Sequence, residues 1–394
     1  MKHISKFVSL WFPGGVPLAW RQLIAEKKRF SIAVAGVAFG IILMLFQLGI
    51  YQAFMVMVLV PIDAMKGDLA MISRDFQYIM STEAFPERRL YQALASPEVK
   101  LVYPVMIKFG SWRHPETGKQ HEVALIGVRS YANPFTLPGV VAHEAALAVP
   151  DGALYDELST PDYGAVADIY RKNGVFPGEI NKRRVRIMGT FRLGQTLAAY
   201  GHIVLGVETF RRITSRKNSS IEIGMIELRT GADPQVVAEK LNTMLPEDVE
   251  VVTRPELSRR EQAYWQDNTP IGFIVTAGMV IAMFVGAVIV YQILYADISD
   301  HIKEYATLKA LGMGDGFFVR LILQQAAILP FFAILPSLAV SAILFLLADS
   351  QGGIPTQLTV SDTLTVLALT AVMCLIAGML AVRRLRAADP ADIF

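Results

Sequence analysis

The sequence predicts an α-helical membrane protein with four transmembrane helices and a large α+β extracytoplasmic domain between helices 1 and 2. Three observations lead to this fold class. Hydrophobic residues make up 53% of the 394-residue chain and charged residues only 18%, whereas about 25% of the residues of soluble proteins are charged. Four apolar runs are long enough to cross a bilayer. Between the first two runs, the composition becomes that of a soluble domain.

The first apolar run covers residues 30–60 and contains no charged side chain. A helix of this length would reach ~46 Å, more than the ~30 Å of a hydrocarbon core. The sequence therefore predicts transmembrane helix 1 with a stalk extension beyond the bilayer. Residues 1–29 are basic, which predicts a cytoplasmic amphipathic segment on the membrane surface or an ordinary charged flank. The run is too long for a cleaved signal peptide.

Residues 61–270 predict the periplasmic α+β domain. β-rich runs occur at 69–72, 101–109, 123–128, 185–188, 203–207, 221–228 and 249–252, and helical stretches at 87–95 and 234–244, the latter with Asp233 as the N-cap. The stretch of about 130–220 is richer in turns, so we expect a second, inserted lobe there. This stretch is basic, which fits either a solvated surface or a surface for an anionic partner or lipid headgroup. Its basic residues are Arg183, Arg184, Arg186, Arg192, Arg211, Arg212, Arg216 and Lys217.

Three more spans follow at 271–295, 317–348 and 363–382. A helical stretch at 256–267 leads into the second span, and a polar segment at 296–316 follows that span. Residues 349–362 form a short periplasmic linker between the third and fourth spans. Residues 383–394 form the tail. Lys and Arg number six before the first span, two at 296–316, none at 349–362 and three in the tail. The positive-inside rule therefore places both termini and 296–316 in the cytoplasm, with the large domain on the opposite, extracytoplasmic side.

Small residues in the first two spans predict close helix packing. Gly36 and Gly40 form a G-x-x-x-G pair, and Gly278, Ala282 and Gly286 recur every four residues. Residues at this spacing share one helix face, where a second helix can approach closely. Together with the long first run and the helix at 256–267, this pattern predicts a two-helix stalk.

Sequence signatures of chemistry are absent. The chain has no G-x-x-x-x-G-K-[ST] phosphate loop, and the glycines at 312–316 follow a helical pattern, which favours a helix stop and turn over a phosphate cradle. The spacing of His114, His121 and His143 does not match a zinc site. The centres of the spans hold no Asp, Glu or Lys, which disfavours ion-coupled transport. We expect no catalytic, cofactor-binding or metal site, and the formal charge of +2 gives no argument for nucleic-acid binding.

Several motifs resemble a known family. K-E-Y-A-T-L-K-A-L-G at 303–312 and the tail R-R-L-R-A-A-D-P-A-D-I-F at 383–394 stand in the order of one span, a large domain and three spans. In this order the whole chain resembles the MacB/FtsX-like permeases of ABC systems. P-L-A-W-R-Q-L at 17–23, M-K-G-D-L at 65–69 and the acid-rich start of the segment at 297–304 most resemble the DevC branch.

The resemblance implies a non-catalytic permease subunit in the inner membrane. Such a subunit forms a homodimer and binds two copies of a cytoplasmic ABC ATPase, which binds the ATP. Motion driven by ATP would pass to the periplasmic domain (mechanotransmission) and drive export of a lipid-type or other envelope substrate through a periplasmic adaptor and a TolC-like outer-membrane channel. Two alternatives remain open, an FtsX-like membrane regulator of a cell-wall hydrolase and a lipoprotein-release permease.

Carried onto this sequence, the resemblance also implies an ATPase-coupling helix. Tyr305, Leu308 and Leu311 are spaced by three residues, so we expect them to form one apolar docking face, with charges at its edges. The glycines that follow would turn the chain back to the membrane. The coupling residues are Glu304, Tyr305, Thr307, Leu308, Lys309, Leu311 and Gly312.

Overall fold

The structure, a computed structural model, describes residues 20, 24, 26–216, 219–352 and 359–387. The chain folds into two compact units. Residues Phe54–Pro270 form the first, which we call the sheet unit. Residues Met1–Ala53 and Ile271–Phe394 form the second, which we call the helical unit.

The α-helices are numbered along the described chain. They are α1 (Lys27–Met57), α2 (Val60–Asp63), α3 (Arg88–Gln92), α4 (Pro138–Ala142), α5 (Glu144–Ala148), α6 (Val166–Asn173), α7 (Val207–Thr214), α8 (Pro234–Met244), α9 (Arg254–Asp267), α10 (Pro270–Asp300), α11 (Ile302–Ala310), α12 (Asp315–Gly352) and α13 (Val360–Ala387). Short 3₁₀ turns lie at Ala93–Ala95 and Pro161–Tyr163.

The strands are numbered in the same way. They are β1 (Leu69–Ser73), β2 (Phe85–Pro86), β3 (Val99–Arg113), β4 (Gln120–Val128), β5 (Gly152–Asp156), β6 (Phe176–Ile180), β7 (Arg183–Phe191), β8 (His202–Gly206), β9 (Ser220–Ile221), β10 (Ile223–Leu228) and β11 (Val249–Thr253). Nine of them form one mixed sheet in the order β11-β1-β10-β3-β4-β8-β5-β7-β6, while β2 pairs with β9. Only β4 with β8 and β5 with β7 run parallel in this sheet.

One end of the sheet curls back on itself. Trp112 of β3 pairs with Ile180 of β6, the edge strand, so six strands form a ring. Trp112 packs against Tyr155 and Phe176 in the core, and its indole Nε1 donates a hydrogen bond of 3.0 Å to the Tyr163 carbonyl. The strands within 130–220 therefore continue the common sheet. The expected inserted lobe has no sheet of its own, because its strands need β3 and β4 as hydrogen-bonding partners.

The β-rich runs of the sequence are confirmed as β1, β3, β4, β7, β8, β10 and β11. The sequence missed β2, β5 and β6, which are short and carry proline or glycine. The N-cap of α8 is also as predicted, since the Asp233 carboxylate accepts a 2.9 Å hydrogen bond from the Gln235 backbone N–H.

In the helical unit, α1, α10, α12 and α13 are long and apolar enough to cross a membrane. The predicted fold class is confirmed in its four long apolar helices, with a mixed α/β domain between the first and the second. The helices are longer than the apolar runs. α10 continues to Asp300 and α12 begins at Asp315, so the turn segment between them is shorter than 296–316.

Candidate functional site

The segment between α10 and α12 begins with a break at His301. Its φ of −96° and ψ of 14° end α10 and let α11 start at Ile302. The His301 imidazole Nδ1 lies 3.0 Å from the Asp297 carbonyl oxygen. Burial opposes the charged form, but this hydrogen bond and the carboxylates of Asp297 and Glu304 raise the pKa of His301 above its ordinary value. The break thus places a polar, readily protonated group at the start of α11.

The end of α11 is closed by a glycine turn. Gly312 has a φ of +94°, which an L-side chain adopts only with strain. The Met313 N–H donates to the Leu308 carbonyl at 3.2 Å, and the Gly312 N–H donates to the Lys309 carbonyl at 3.0 Å. This pair of bonds is a Schellman motif, which satisfies the last carbonyls of a helix. The predicted helix stop and turn are therefore confirmed at Gly312.

One face of α11 is buried within the helical unit. Tyr305 is only 2% exposed, and its ring lies 5.8 Å from the ring of Phe318 on α12 in an edge-to-face arrangement. Leu308 also packs against this core. Tyr305 and Leu308 therefore pack inward rather than forming one exposed face with Leu311, and the docking role of these residues stays a prediction. The reason is that Phe318, which lies on α12 after the glycine turn, packs against the Tyr305 ring.

The opposite face of α11 is exposed. Glu304 and Thr307 lie on it, and the side chain of Leu311 at the helix end is 77% exposed. These three positions are separated by three and four residues, so they follow one face. Lys309 is half-buried at its edge, and Met313 is 42% exposed in the turn that follows. The accessible surface is thus a polar helix face with an apolar tip.

Polar contacts connect α11's neighbours. The Gln325 side-chain amide on α12 donates to the Asp297 carboxylate on α10 at 3.1 Å. Arg29 on α1 forms ion pairs with Asp300 on α10 and, at 3.0 Å, with Glu26. These contacts join three of the long helices close to where α11 begins.

The small residues of the first two spans lie at helix contacts within this unit. A Cβ on Gly40 would lie 3.6 Å from the Gly286 Cα, so α1 and α10 approach backbone to backbone there. A Cβ on Gly36 would overlap Ile289, and one on Gly278 would lie 2.7 Å from the Gln47 amide. Ala282 is 3% exposed in the same core.

A buried constellation in the sheet unit was not predicted. The His202 imidazole Nδ1 lies 3.4 Å from the Asp156 carboxylate, and its Nε2 lies 3.2 Å from the Thr196 hydroxyl. The order resembles a hydrolytic triad, but Thr196 is 2% exposed and its hydroxyl is held by the Ala199 backbone N–H and carbonyl. The Asp156 carboxylate also accepts hydrogen bonds from Leu193 and Gly194. We assign this network to holding the loop before β8.

The histidines weighed for metal binding contact neighbouring groups of the sheet unit. His114 and His121 face each other across the β3–β4 hairpin with ring centroids 6.3 Å apart. The His114 Nδ1 accepts the backbone N–H groups of Glu116 and Thr117, both at 3.1 Å. Among the residues that the structure describes, no group of three or more His, Cys, Asp or Glu could hold a metal ion.

Comparison with protein families identifies the region that contains α11. Residues 276–390 match the family model "FtsX-like permease C-terminal". This FtsX-like region includes α11, its glycine turn and the two long helices that follow. No curated protein sequence matches the chain significantly.

Three solved structures are similar to the chain, each over about half of its length. They are the extracellular domain of the noncanonic ABC-type transporter YknZ from Gram-positive bacteria (13% identity, 47% of this chain and 98% of that one, TM-score 0.34), the periplasmic region of MacB from Actinobacillus actinomycetemcomitans (13%, 51% and 96%, 0.35) and a permease-protein domain from Porphyromonas gingivalis (15%, 48% and 88%, 0.31). At these values we draw no functional conclusion from the likenesses.

Proposed function

We propose that this chain is the permease subunit of an ABC-type exporter, which receives ATP-driven motion from a separate ATPase and passes it to the sheet unit. The observation that carries the proposal is the match of residues 276–390 to the FtsX-like permease family. The geometry of α11 supports it, because a short helix with one buried and one exposed face is suited to receive a partner.

The docking contact in this proposal is the exposed face of α11. Leu311 provides the apolar tip, Glu304 and Thr307 provide polar contacts, and Lys309 lies at the edge. Tyr305 and Leu308 act from the other side, where they fix α11 to the core of the helical unit. Gly312 ends the helix with a fixed turn. A helix held in this way transmits a push rather than absorbing it.

The proposed setting is the inner membrane, with both termini and α11 in the cytoplasm and the sheet unit in the periplasm. The distribution of Lys and Arg supports this orientation. The working assembly would be a homodimer with two copies of the ATPase, which binds the ATP. A periplasmic adaptor and a TolC-like outer-membrane channel would complete an export path for a lipid-type or other envelope substrate.

The finer assignment to the DevC branch depends on three motifs, at 17–23, at 65–69 and at the acid-rich start of the segment at 297–304. Residues 17–19 and 21–23 of the first motif lie outside the described residues. The second, 65–69, has a defined geometry: Gly67 has a φ of +122°, and the Asp68 carboxylate accepts a 2.9 Å hydrogen bond from the Leu228 N–H. This geometry gives a physical reason for glycine and aspartate at these positions. The branch itself remains a proposal.

The test of the coupling role is the variant Leu311→Asp. A carboxylate on the apolar tip should abolish co-purification of the ATPase from the native membrane. Because Leu311 is 77% exposed, the variant should keep the fold of the chain. Leu311→Met is the matched control and should retain the ATPase. Unchanged co-purification with Leu311→Asp would exclude α11 as the docking helix.

The same purification separates the remaining alternatives. Mass spectrometry of the chains that co-purify with the unmodified protein should identify an ATPase and an adaptor. If a cell-wall hydrolase co-purifies instead of the adaptor, the function is regulation of that hydrolase and not export.

A further inference from the structure

A large cavity opens in the sheet unit, at a distance in sequence from the FtsX-like region. Its volume is about 1150 Å³. Its wall comes from residues 129–131 after β4, 147–151 before β5, the first residue of β7, and α7 with the turn that follows. Five arginines line it, against two acidic residues, Asp151 and Glu208. The arginines are Arg129, Arg183, Arg211, Arg212 and Arg216.

Two of these arginines are each held by two-pronged hydrogen bonds to a buried carboxylate. Arg129 donates two hydrogen bonds, of 2.8 and 3.0 Å, to Glu87, which is 4% exposed. Arg216 is paired in the same two-pronged way with Glu222, which is 5% exposed. Such planar, doubly bonded pairs hold a guanidinium rigidly. The cavity thus has two rigidly held guanidinium groups in its wall, each with its charge balanced by a carboxylate.

Other donors have capacity left for a ligand. Within the described residues, the Arg183 side chain makes no ion pair or hydrogen bond, and it is exposed. The buried Arg211 Nε has no hydrogen-bond partner within the same part of the chain, whereas the two terminal nitrogens of Arg211 each lie 3.5 Å from a carboxylate, that of Glu87 or Glu208. Among the described residues, Arg212 pairs with Asp151 alone, and its side chain is 41% exposed. A buried donor without a partner is costly, so a bound acceptor would stabilise this wall.

The start of α7 adds to the positive potential. Val207, Glu208 and Thr209, its first three residues, line the cavity, and no side chain of the described residues caps this end of the helix. Free N–H groups and the helix dipole favour an anion at such an end. Glu208 opposes this effect: its side chain is 82% exposed, and its carboxylate lies 3.5 Å from the Arg211 guanidinium.

The remaining wall is apolar. Leu147, Val149, Pro150 and Val207 contribute hydrocarbon surface beside the arginines. A ligand that matches both surfaces carries a compact anion with several acceptor oxygens and an organic part. Several guanidinium groups in the wall of one cavity suit a phosphate, which accepts hydrogen bonds from more directions than a carboxylate does.

We propose that this cavity binds a phosphate-bearing anion, with the phosphate against Arg183, Arg211 and Arg212 and the organic part against the apolar wall. The site stands independently of the coupling role of α11. Two sources share this chemistry, a soluble phosphate ester and the headgroup of a phospholipid.

The test is calorimetric titration of the full-length chain in an uncharged detergent. One probe is glycerol 1-phosphate, and the other is dihexanoylphosphatidylglycerol below its micellar concentration. We expect binding of at least one probe and a loss of affinity of about tenfold or more in Arg183→Ala, as for removal of a hydrogen bond to a charged group.

Arg184→Ala is the matched control. Arg184 is the next residue on β7 and exposed, but it does not line the cavity, since successive strand residues point to opposite faces. Its affinity should equal that of the unmodified chain. If only the lipid probe binds, the ligand is a phospholipid headgroup. If both probes bind, a phosphate ester without acyl chains is sufficient for binding. No binding of either probe, or equal losses in the two variants, would overturn the proposal.

Discussion

The two units of this chain solve the same packing problem with different chemistry. In the sheet unit, apolar side chains form a core on each side of a mixed sheet, and buried carboxylates such as Glu87 and Glu222 are paired with arginines. In the helical unit, backbones meet at small residues such as Gly40 and Gly286. Charged contacts there gather near helix ends, as in Arg29 with Asp300.

The outer surfaces differ in the same direction. Large apolar side chains are well exposed on the long helices, for example Phe273 at 76%, Phe284 at 69% and Leu335 at 76%. A surface of this kind is unfavourable in water but suits lipid, where helices associate through close van der Waals contact rather than the hydrophobic effect. The sheet unit is thus stabilised mainly by burying apolar side chains away from water, and the helical unit by close contact between helix backbones.

The largest expected effect comes from breaking a buried ion pair in the sheet unit. Glu87→Ala leaves Arg129 and Arg211 without their shared carboxylate, and removal of one partner from a buried pair costs about 3–5 kcal/mol. We expect early unfolding of this unit in urea, measured by peptide-resolved hydrogen exchange, with the long helices unaffected. Glu98→Ala is the control, because the Glu98 pair with Lys240 is solvent-exposed and should change little. Equal losses in the two variants would contradict the comparison.

The second prediction concerns pH and Glu261 of α9. This residue is 1% exposed, and its carboxylate accepts hydrogen bonds from the Ile79 N–H at 2.8 Å and the Trp265 indole N–H at 3.1 Å. Burial raises its pKa to about 7 from the ordinary 4.5. Between these values the folded chain keeps a proton that the unfolded chain has released. Stability should therefore fall as pH rises from about 4.5 to about 7, by about 3 kcal/mol, and then level off.

This pH range is separate from the range in which the carboxylates of the exposed ion pairs titrate. Hydrogen bonds from Lys240 to Glu98 and from Arg259 to Glu256 lower both pKa values to about 2, so these carboxylates lose their contribution as pH falls below 4.5. Guanidinium unfolding of the sheet unit at pH 5 and pH 7.5 measures the Glu261 effect. Glu261→Gln should flatten the dependence, and an unchanged slope in that variant would assign it to another group.

The smallest effect tests the helical unit. In Gly286→Val the new side chain would overlap Met373 and separate α10 from Gly40 of α1. Overpacking of this kind costs about 1–3 kcal/mol. We expect a lower thermal transition in detergent, whereas Phe284→Leu, an exposed change on the same helix, should leave it unaltered. A transition unmoved by Gly286→Val would show that close backbone contact does not stabilise this unit.

Local sequence signals predicted much of the fold. Alternation and β-branched residues found the longer strands, and Asp233 marked the start of α8. β6 escaped because F-P-G-E-I carries two residues that are disfavoured in strands. Its place is fixed instead by pairing with β7 and β3, far along the sheet.

The candidate site shows the same limit. The spacing of Tyr305, Leu308 and Leu311 suggested one face, but the sequence could not show which face Phe318 of α12 covers. Nor could it show that the side chain of Leu311, which follows the last residue of α11, is exposed, whereas Tyr305 and Leu308 pack against the core. The basic stretch was visible in the sequence, whereas the pairing of Arg129 and Arg211 with Glu87 depends on contacts 42 and 124 residues apart.

The central claim is that the exposed face of α11 contacts a separate ATPase. A photo-cross-linking amino acid, p-benzoylphenylalanine, at position 311 tests it in cells that contain the natural partners, with position 284 as the control because Phe284 is also apolar and exposed. We predict an adduct with an ATP-binding chain from position 311 and none from position 284. No such adduct from position 311, or the same adduct from both positions, would contradict the account.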